Sequence, residues 1–587
     1  MFARSEAAFA RGNLPAARAA LIAILPHTGE HPAVLHLLAL VEKRSDRKQA
    51  AADAFVRALR AAPRDAQIHG NYANLLDDLG RLDEALLHYD RAIAAAPSVA
   101  DTRVNRALLL QRLKRPAEAL AELDQAARLA RPGARLHTAR GLVLRELEQL
   151  DDAAAAFDAA LAIEPARAAA LVGRARVALE RGEADAAARY GAALAVRQGD
   201  VELRLGEALA LEAGGAAAAS TLLADTVAAM PTWAEGHAQL ARMRSEEADC
   251  DDPTRSFRAA LARHPRDAGL NAAYWQTLIR AERFADLLGA IDTARGHLPD
   301  DRSMLVAEAI GASETGDNSR AETVFQRLDP GADINLAQAR HRLRTGDPER
   351  AAAILQEMVT DAPGDIGAWA HLLLAWRLLD DDRQHWLAGQ PGLYRAVELE
   401  LSATELEDLA NLLRTLHRTR AHPIGQSLRG GTQTRGRLFA RLEPELRRMK
   451  ARIEAAVRAH VAAMPPRDDG HPLLRYRDAT FALAGSWSVR LRESGFHVNH
   501  IHPEGLFSSA CYIALPESIG GEGGRDGWLD LGSPPVELGL ALDPIASIEP
   551  RPGRLALFPS YLFHGTRPFR GGERLTIAFD VRADQTG

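Results

Sequence analysis

Aromatic residues are scarce in this chain of 587 residues: 15 Phe, 7 Trp and 8 Tyr make up 5% of it. Most of its packing must therefore be done by small aliphatic side chains. Cysteine occurs only at Cys250 and Cys511, which excludes a disulfide framework and a paired-cysteine metal site. Lysine stands only at Lys43, Lys48, Lys114 and Lys450, a bias in composition from which no function is read. The 72 basic and 78 acidic residues leave a net charge of −6, which gives no electrostatic footprint for nucleic acid. Uncharged stretches such as Ala213 to Ala224 fall short of the ~20 residues needed to cross a bilayer. The first residues are interrupted by Arg4, Glu6, Arg11 and Arg18 and do not read as a signal peptide. These features lead us to expect a cytoplasmic protein with neither nucleic acid nor membrane as partner. Hydrophobic content of 47% and charged content of 26% are ordinary for a folded chain, and the length calls for more than one domain.

What fills the first two thirds is a repeat. Ala-rich amphipathic stretches close at Pro63, Pro97, Pro132, Pro165, Gly199, Pro231, Pro265, Pro299, Pro330 and Pro363, at nearly constant intervals. Between these marks, apolar residues recur at helical spacing in two runs separated by short polar turns, such as Leu79-Gly80-Arg81. Small residues keep register at Ala73, Ala107 and Gly141, at Ala85, Ala119 and Ala153, and at Ala92, Ala126 and Ala160. A larger residue keeps step at Tyr89, Leu123 and Phe157. Small positions let paired helices approach closely, and the large one fills the gap they leave. The pattern resembles the tetratricopeptide repeat, a helix-turn-helix unit of 34 residues. About ten units run from near residue 32 to near 380, preceded by a partial one and weakening after Gly199. Stacked units expose an extended surface that suits a peptide or protein partner. Asn71 and Asn105, one repeat apart, could contact a partner's backbone or be solvated surface positions.

The period stops near Asp380. A helical stretch follows in which Ser402 and Glu405 have capping-box spacing, then a Gly/Thr-rich segment and another amphipathic run. Residues 476–587 hold 12 of the aromatics and read as short strands: GSWSVRL, GFHVNHIH, SSACYIAL, GWLDL, GRLALFP and RLTIAFDV. The glycine-rich stretch 520–527 lacks the lysine of a phosphate loop and reads as a strand connection. Trp487 and Phe496 read as core residues. We thus expect a multidomain α + β chain, with helical repeats over 1–380, a helical connector over 381–465 and a β-rich domain over 466–587.

Four histidines of this β region carry chemistry: His497, His500, His502 and His564. On a strand, His500 and His502 would face the same way and could share one ion, for which imidazole suits Fe, Zn, Cu or Ni. His564 supplies a third ring near a strand end, and Arg574 and Thr576 share a strand face, placing a guanidinium beside a hydroxyl. A guanidinium fork matches a carboxylate. His497, off the two-residue period, reads as a neighbour of the site rather than a ligand.

The motifs PIGQSLRGGTQT, AGSWSVRL, GFHVNHIHPEG, SSACYIALP, PGRLALFPSYLFHGT and ERLTIAFDV, in this order, resemble the Fe(II)- and 2-oxoglutarate-dependent oxygenases, of the bacterial type fused to tetratricopeptide repeats. The resemblance implies a double-stranded β-helix (jelly roll) that binds Fe(II), 2-oxoglutarate and O2 and hydroxylates an unreactive C–H bond. It makes His500 and His564 metal ligands, Arg574 the partner of the cosubstrate's far carboxylate, Thr576 its hydroxyl neighbour and Tyr512 a further cosubstrate contact. The family's third ligand is a carboxylate, and here the position holds His502. A three-histidine site, a ligand at Glu504, or a third ligand from elsewhere such as Asp530 all fit the sequence. With the repeats, the expected substrate is a peptide or protein. The rival readings are a three-histidine, cupin-like dioxygenase without 2-oxoglutarate and a non-catalytic peptide-binding scaffold.

Overall fold

The computed structural model describes residues 1–247, 250–519 and 524–583. Of the glycine-rich stretch 520–527, residues 520–523 lie outside the described residues. Helical hairpins fill the chain from Phe2–Ala10 and Leu14–Thr28 to Ile366–Leu378 and Arg383–Ala388, so the segment before residue 32 is itself a helix pair. No described helix is long and apolar enough to cross a membrane.

The repeat register explains the packing. Ala73, Ala85, Ala107, Ala119, Ala153 and Ala160 are fully buried, as are Leu123 and Phe157. A methyl group added at Gly141 would lie 2.7 Å from the Phe157 ring, whereas the preceding repeat combines Ala107 with the smaller Leu123. Glycine at 141 is thus the consequence of phenylalanine at 157. A second 34-residue register is electrostatic: Arg106 pairs with Asp90 at 2.8 Å, Arg140 with Asp124, and Arg174 with Asp158 at 2.8 Å, each joining one unit to the next. The closing prolines have a further role. Their carbonyls accept from a side chain six residues on, as Pro265 does from Asn271 Nδ2 at 3.2 Å and Pro363 from Trp369 Nε1 at 3.0 Å. Asn71 and Asn105 are engaged within the array, with His36 Nε2 at 2.9 Å and Asn74 Oδ1 at 3.1 Å.

Two compact units divide the chain: residues 1–181 with 185–203, and residues 182–184 with 204–587. The division falls inside the helical array, near the point where the small-residue register weakens. The second unit holds the later repeats and the β-domain together, and its contacts show why. The segment 418–435 passes the C-terminal ends of first helices of the later repeats: Arg418 Nη1 donates to Gly214 O at 2.5 Å, and Arg420 N and Ala421 N donate to Glu246 O at 3.2 Å. Further along, Ile424 N donates to Ser245 Oγ, Arg429 pairs with Glu282 at 2.9 Å, and Arg435 pairs with Glu246. From the repeats, Arg344 donates to Glu537 O at 3.0 Å and Arg377 to Gly532 O at 2.5 Å.

The β-domain consists of strands β1 (Arg395–Glu398), β2 (Leu428–Gln433), β3 (Phe481–His497), β4 (Phe507–Ala514), β5 (Leu529–Leu531), β6 (Ala546–Ile548), β7 (Arg554–Pro559), β8 (His564–Thr566) and β9 (Arg574–Ala583). A six-stranded antiparallel sheet has the order β1-β7-β4-β9-β3-β2, and a three-stranded one the order β6-β5-β8. Between β1 and β2, helix Ala403–Leu416 starts on the expected capping box of Ser402 and Glu405. Helix Pro444–Ala463 follows β2 and buries Leu446, Met449, Ile453 and Val457 in the common core. The chain is therefore a tetratricopeptide-type helical array followed by antiparallel sheets. Describing those sheets as a double-stranded β-helix rests on the resemblance.

Candidate metal centre

Strand β9 sets the floor of the site. Leu575, Ile577, Phe579 and Val581 point into the hydrophobic core, and the alternate residues Arg574, Thr576, Ala578 and Asp580 line one cavity. That cavity has a volume of about 1000 Å³ and also receives His500, His502 and His564. Its outer wall comes from helices of the later repeats, among them Ile279, Leu336, Arg340 and His371 on first helices and Phe284 at the start of a second.

The strand expected through His502 ends earlier, at His497. Beyond it His500 makes one isolated antiparallel bridge with His564, and His502 leads into an exposed turn at Pro503 and Glu504. The three rings nevertheless converge. One ligand nitrogen from each of His500, His502 and His564 lies within 4.8 Å of the other two, a group that could hold a metal ion. Glu504, the alternative third ligand, lines the cavity from its exposed turn and lies outside this group. Asp530 is engaged elsewhere, accepting from Arg567 at 2.8 Å and Ser547 at 2.6 Å.

Hydrogen bonds fix the tautomer of each ring. Nδ1 of His500 faces Val498 O at 2.9 Å, Nδ1 of His564 faces Leu562 O at 3.1 Å, and Nδ1 of His502 faces Asp580 Oδ1 at 2.6 Å. Carbonyl and carboxylate oxygens only accept, so each Nδ1 carries a proton and Nε2 is the atom each ring offers to a ligand. Nε2 of His500 and Nε2 of His502 are 3.0 Å apart, a separation that a shared proton or a metal ion bound by both nitrogens would satisfy. This donor set fits a divalent metal bound by neutral imidazoles. Burial lowers the His500 ring to about 3 and His564 well below the ordinary histidine range, so both stay neutral ligands at physiological pH. His497 is beside the group, with Nδ1 3.0 Å from Ser427 Oγ, which also approaches His500 Nε2 at 3.1 Å. Trp487, read from sequence as core, packs half-buried against the cluster of Leu428, Val489, Leu491 and Phe569, lines the cavity and stacks on His502 with ring centroids 5.4 Å apart.

Arg574 is 2% exposed, and burial lowers the pKa of its guanidinium. Its Nη1 donates to Gly527 O at 2.6 Å, but among the described residues no carboxylate pairs with it and Nε has no partner. A buried cation left in this state is costly without an anion. Tyr512 is absent from the cavity lining; its ring lies against the guanidinium at 5.0 Å, with the phenol oxygen buried and unpartnered. Thr576 lines the cavity two residues along from Arg574.

An array of helical hairpins carrying a β-domain with a cavity-lining histidine cluster is the class of protein that the fold and site define. Comparison with known families agrees. Residues 485–580 match the family described as Putative 2OG-Fe(II) oxygenase, and residues 36–100, 104–168, 138–198 and 306–366 match the tetratricopeptide repeat. The chain thus combines segments that match tetratricopeptide repeats with a segment that matches that oxygenase family. No curated protein matches it. Among solved structures, a tetratricopeptide repeat protein from Parabacteroides merdae is 19% identical over 39% of this chain and 91% of its own, with a TM-score of 0.33. PilF of Pseudomonas aeruginosa is 21% identical over 35% of this chain and 93% of its own, with a TM-score of 0.32. A thermophilic protein of the same repeat class from Thermus thermophilus is 28% identical over 31% and 99%, with a TM-score of 0.27.

Proposed function

We propose that the β-domain is an Fe(II)- and 2-oxoglutarate-dependent dioxygenase that hydroxylates a peptide or protein segment. The observation that carries this reading is Arg574: a buried guanidinium that no carboxylate among the described residues pairs with, opening into the same cavity as three histidines whose ligand nitrogens converge. His500, His502 and His564 would hold the metal. Fe(II) bound there, with 2-oxoglutarate and O2, would supply oxidation of an unreactive C–H bond. Arg574 binds and orients the far carboxylate of 2-oxoglutarate, Thr576 adds a hydroxyl donor, and Tyr512 holds the guanidinium in place from beneath. No side chain is needed as a general base for attack on the C–H bond.

The substrate class follows from the wall opposite. Helical repeats supply one side of the cavity, and the volume lies at the upper end of the ~300–1,000 Å³ of small-molecule sites. Phe284 and Leu336 offer an apolar edge there, with Arg340 and His371 beside it. A peptide entering between these helices and the histidines would touch both, which is the arrangement an extended substrate needs.

The test is O2 uptake and succinate release by the full-length protein with Fe(II) and 2-oxoglutarate, while candidate peptides are added. Peptide-stimulated succinate formation, with Phe284→Ala raising KM for the peptide but not basal 2-oxoglutarate turnover, is the expected result. Oxygen uptake without succinate would favour the three-histidine dioxygenase instead, and neither activity would favour the scaffold.

A further inference from the structure

In a site of two histidines and one carboxylate, a divalent ion is left with one net positive charge. Three neutral imidazoles leave it with two. In this protein, however, one imidazole differs from the others in what stands behind it. His500 and His564 are held by peptide carbonyls, whereas His502 Nδ1 donates to the Asp580 carboxylate at 2.6 Å.

Asp580 has no arginine or lysine partner among the described residues. Its remaining contact is Ser508 Oγ at 3.2 Å, itself 2.9 Å from Ser560 Oγ. The Asp580 side chain is 14% exposed and that of His502 15%. A largely buried carboxylate of this kind requires a nearby positive charge, and the one group through which it can reach it is the His502 ring. Trp487 stacked on that ring keeps its plane fixed between Asp580 and the other two histidines.

We propose that Asp580 is a positioning residue which, through His502, supplies the negative charge that a carboxylate ligand would otherwise bring to the metal. The His502–Asp580 pair is then equivalent in charge to a single aspartate ligand, and the centre recovers the net charge of the two-histidine, one-carboxylate site. This rests on the three histidines holding a divalent metal but not on the use of 2-oxoglutarate. It also separates Asp580 from the other acids near the site. Glu504 is exposed on a turn and Asp530 is neutralised by Arg567, so neither provides this charge.

The experiment is a Co(II) titration of the full-length protein without 2-oxoglutarate, followed by visible absorbance and calorimetry. Asp580→Asn retains an oxygen for the Nδ1 proton and removes only the charge, so the expected loss of Co(II) affinity is about 10- to 100-fold. His502→Asp alone places a ligand carboxylate beside Asp580 and binds weakly. The double variant His502→Asp/Asp580→Asn carries one carboxylate again and should recover affinity to within a few-fold of wild type. Asp580→Asn binding Co(II) as tightly as wild type would overturn the proposal, as would a double variant no better than His502→Asp. A purely structural role would lower the melting temperature of the metal-free protein and leave affinity unchanged, which also overturns it. If Asp580→Asn does not fold, the comparison of His502→Asp with the double variant decides. Turnover of 2-oxoglutarate by the same wild-type sample tests the dioxygenase reading separately.

Discussion

His500 and His564 exchange both backbone hydrogen bonds, 3.0 Å from His500 N to His564 O and 2.9 Å in return. Two rings from distant parts of the chain are thereby fixed side by side, with centroids 4.2 Å apart and planes tilted by 50°, before any ion arrives. Because the backbone makes this bridge, either side chain can be removed without breaking it. His564→Ala should therefore keep the far-UV signature of the folded protein while metal affinity falls by ~100-fold or more, beyond the range for loss of an outer partner. Calorimetric titration with Co(II) or Zn(II) measures it. Unchanged affinity would remove His564 from the centre.

Arg574 should act on the cosubstrate and leave the metal alone. A charge-assisted pair contributes about 1.5–3 kcal/mol, so Arg574→Met is expected to raise KM for 2-oxoglutarate by ~10- to 100-fold with Co(II) affinity unaltered. Loss of metal affinity in this variant would instead make Arg574 a structural support.

Acid should weaken the fold before it reaches the carboxylates. Burial holds His417, His460 and His471 at about 4 against an ordinary 6.5; His417 is further lowered by Arg490 and His460 by Arg395. The unfolded chain takes up these protons below 6.5 while the native chain does not. Their contribution is thus complete above pH 6.5 and is lost as pH falls toward 4, on the order of 1–2 kcal/mol per histidine by pH 5. Urea unfolding at pH 7.5 and pH 5 checks this, and equal stability at the two would contradict it.

Much of this was legible in the residues. The 34-residue register, the capping box at Ser402 and Glu405, and the pairs His500 with His502 and Arg574 with Thr576 follow from period and spacing, while the resemblance alone joins His564 and the two pairs in one site. Other features depend on contacts that spacing does not state. His500 and His502 face together through one bridge and a turn rather than along a strand, and Trp487 lines the cavity as well as packing against a small apolar cluster. Asp580 had a usable signal, since the two-residue period of Arg574 and Thr576 continues through Ala578 to it. The Arg106, Arg140 and Arg174 register is equally visible, 34 residues apart, beside the apolar one that alone suggested the repeat. The fusion of the later repeats with the β-domain left no such trace, because it combines an apolar core shared by Leu343, Leu355 and Trp376 with Phe507 and Leu557 and polar contacts that include arginines binding backbone carbonyls at Gly214, Gly532 and Glu537.

The repeat packing yields its own test. Gly141→Ala should cost about 1–3 kcal/mol by overpacking against Phe157, and Phe157→Leu in the same chain should recover part of it by restoring the combination of Ala107 and Leu123. Thermal unfolding of the two variants decides. A neutral Gly141→Ala would show that the ring moves aside freely.

Anaerobic addition of Fe(II) and then 2-oxoglutarate to the full-length protein, read as visible charge-transfer absorption, tests the central claim most directly. An absorption band should appear only when both are present, saturate at one equivalent of each, and require far more 2-oxoglutarate in Arg574→Ala. No band in the wild type, or a band that Arg574→Ala leaves undiminished at the same 2-oxoglutarate concentration, would contradict it.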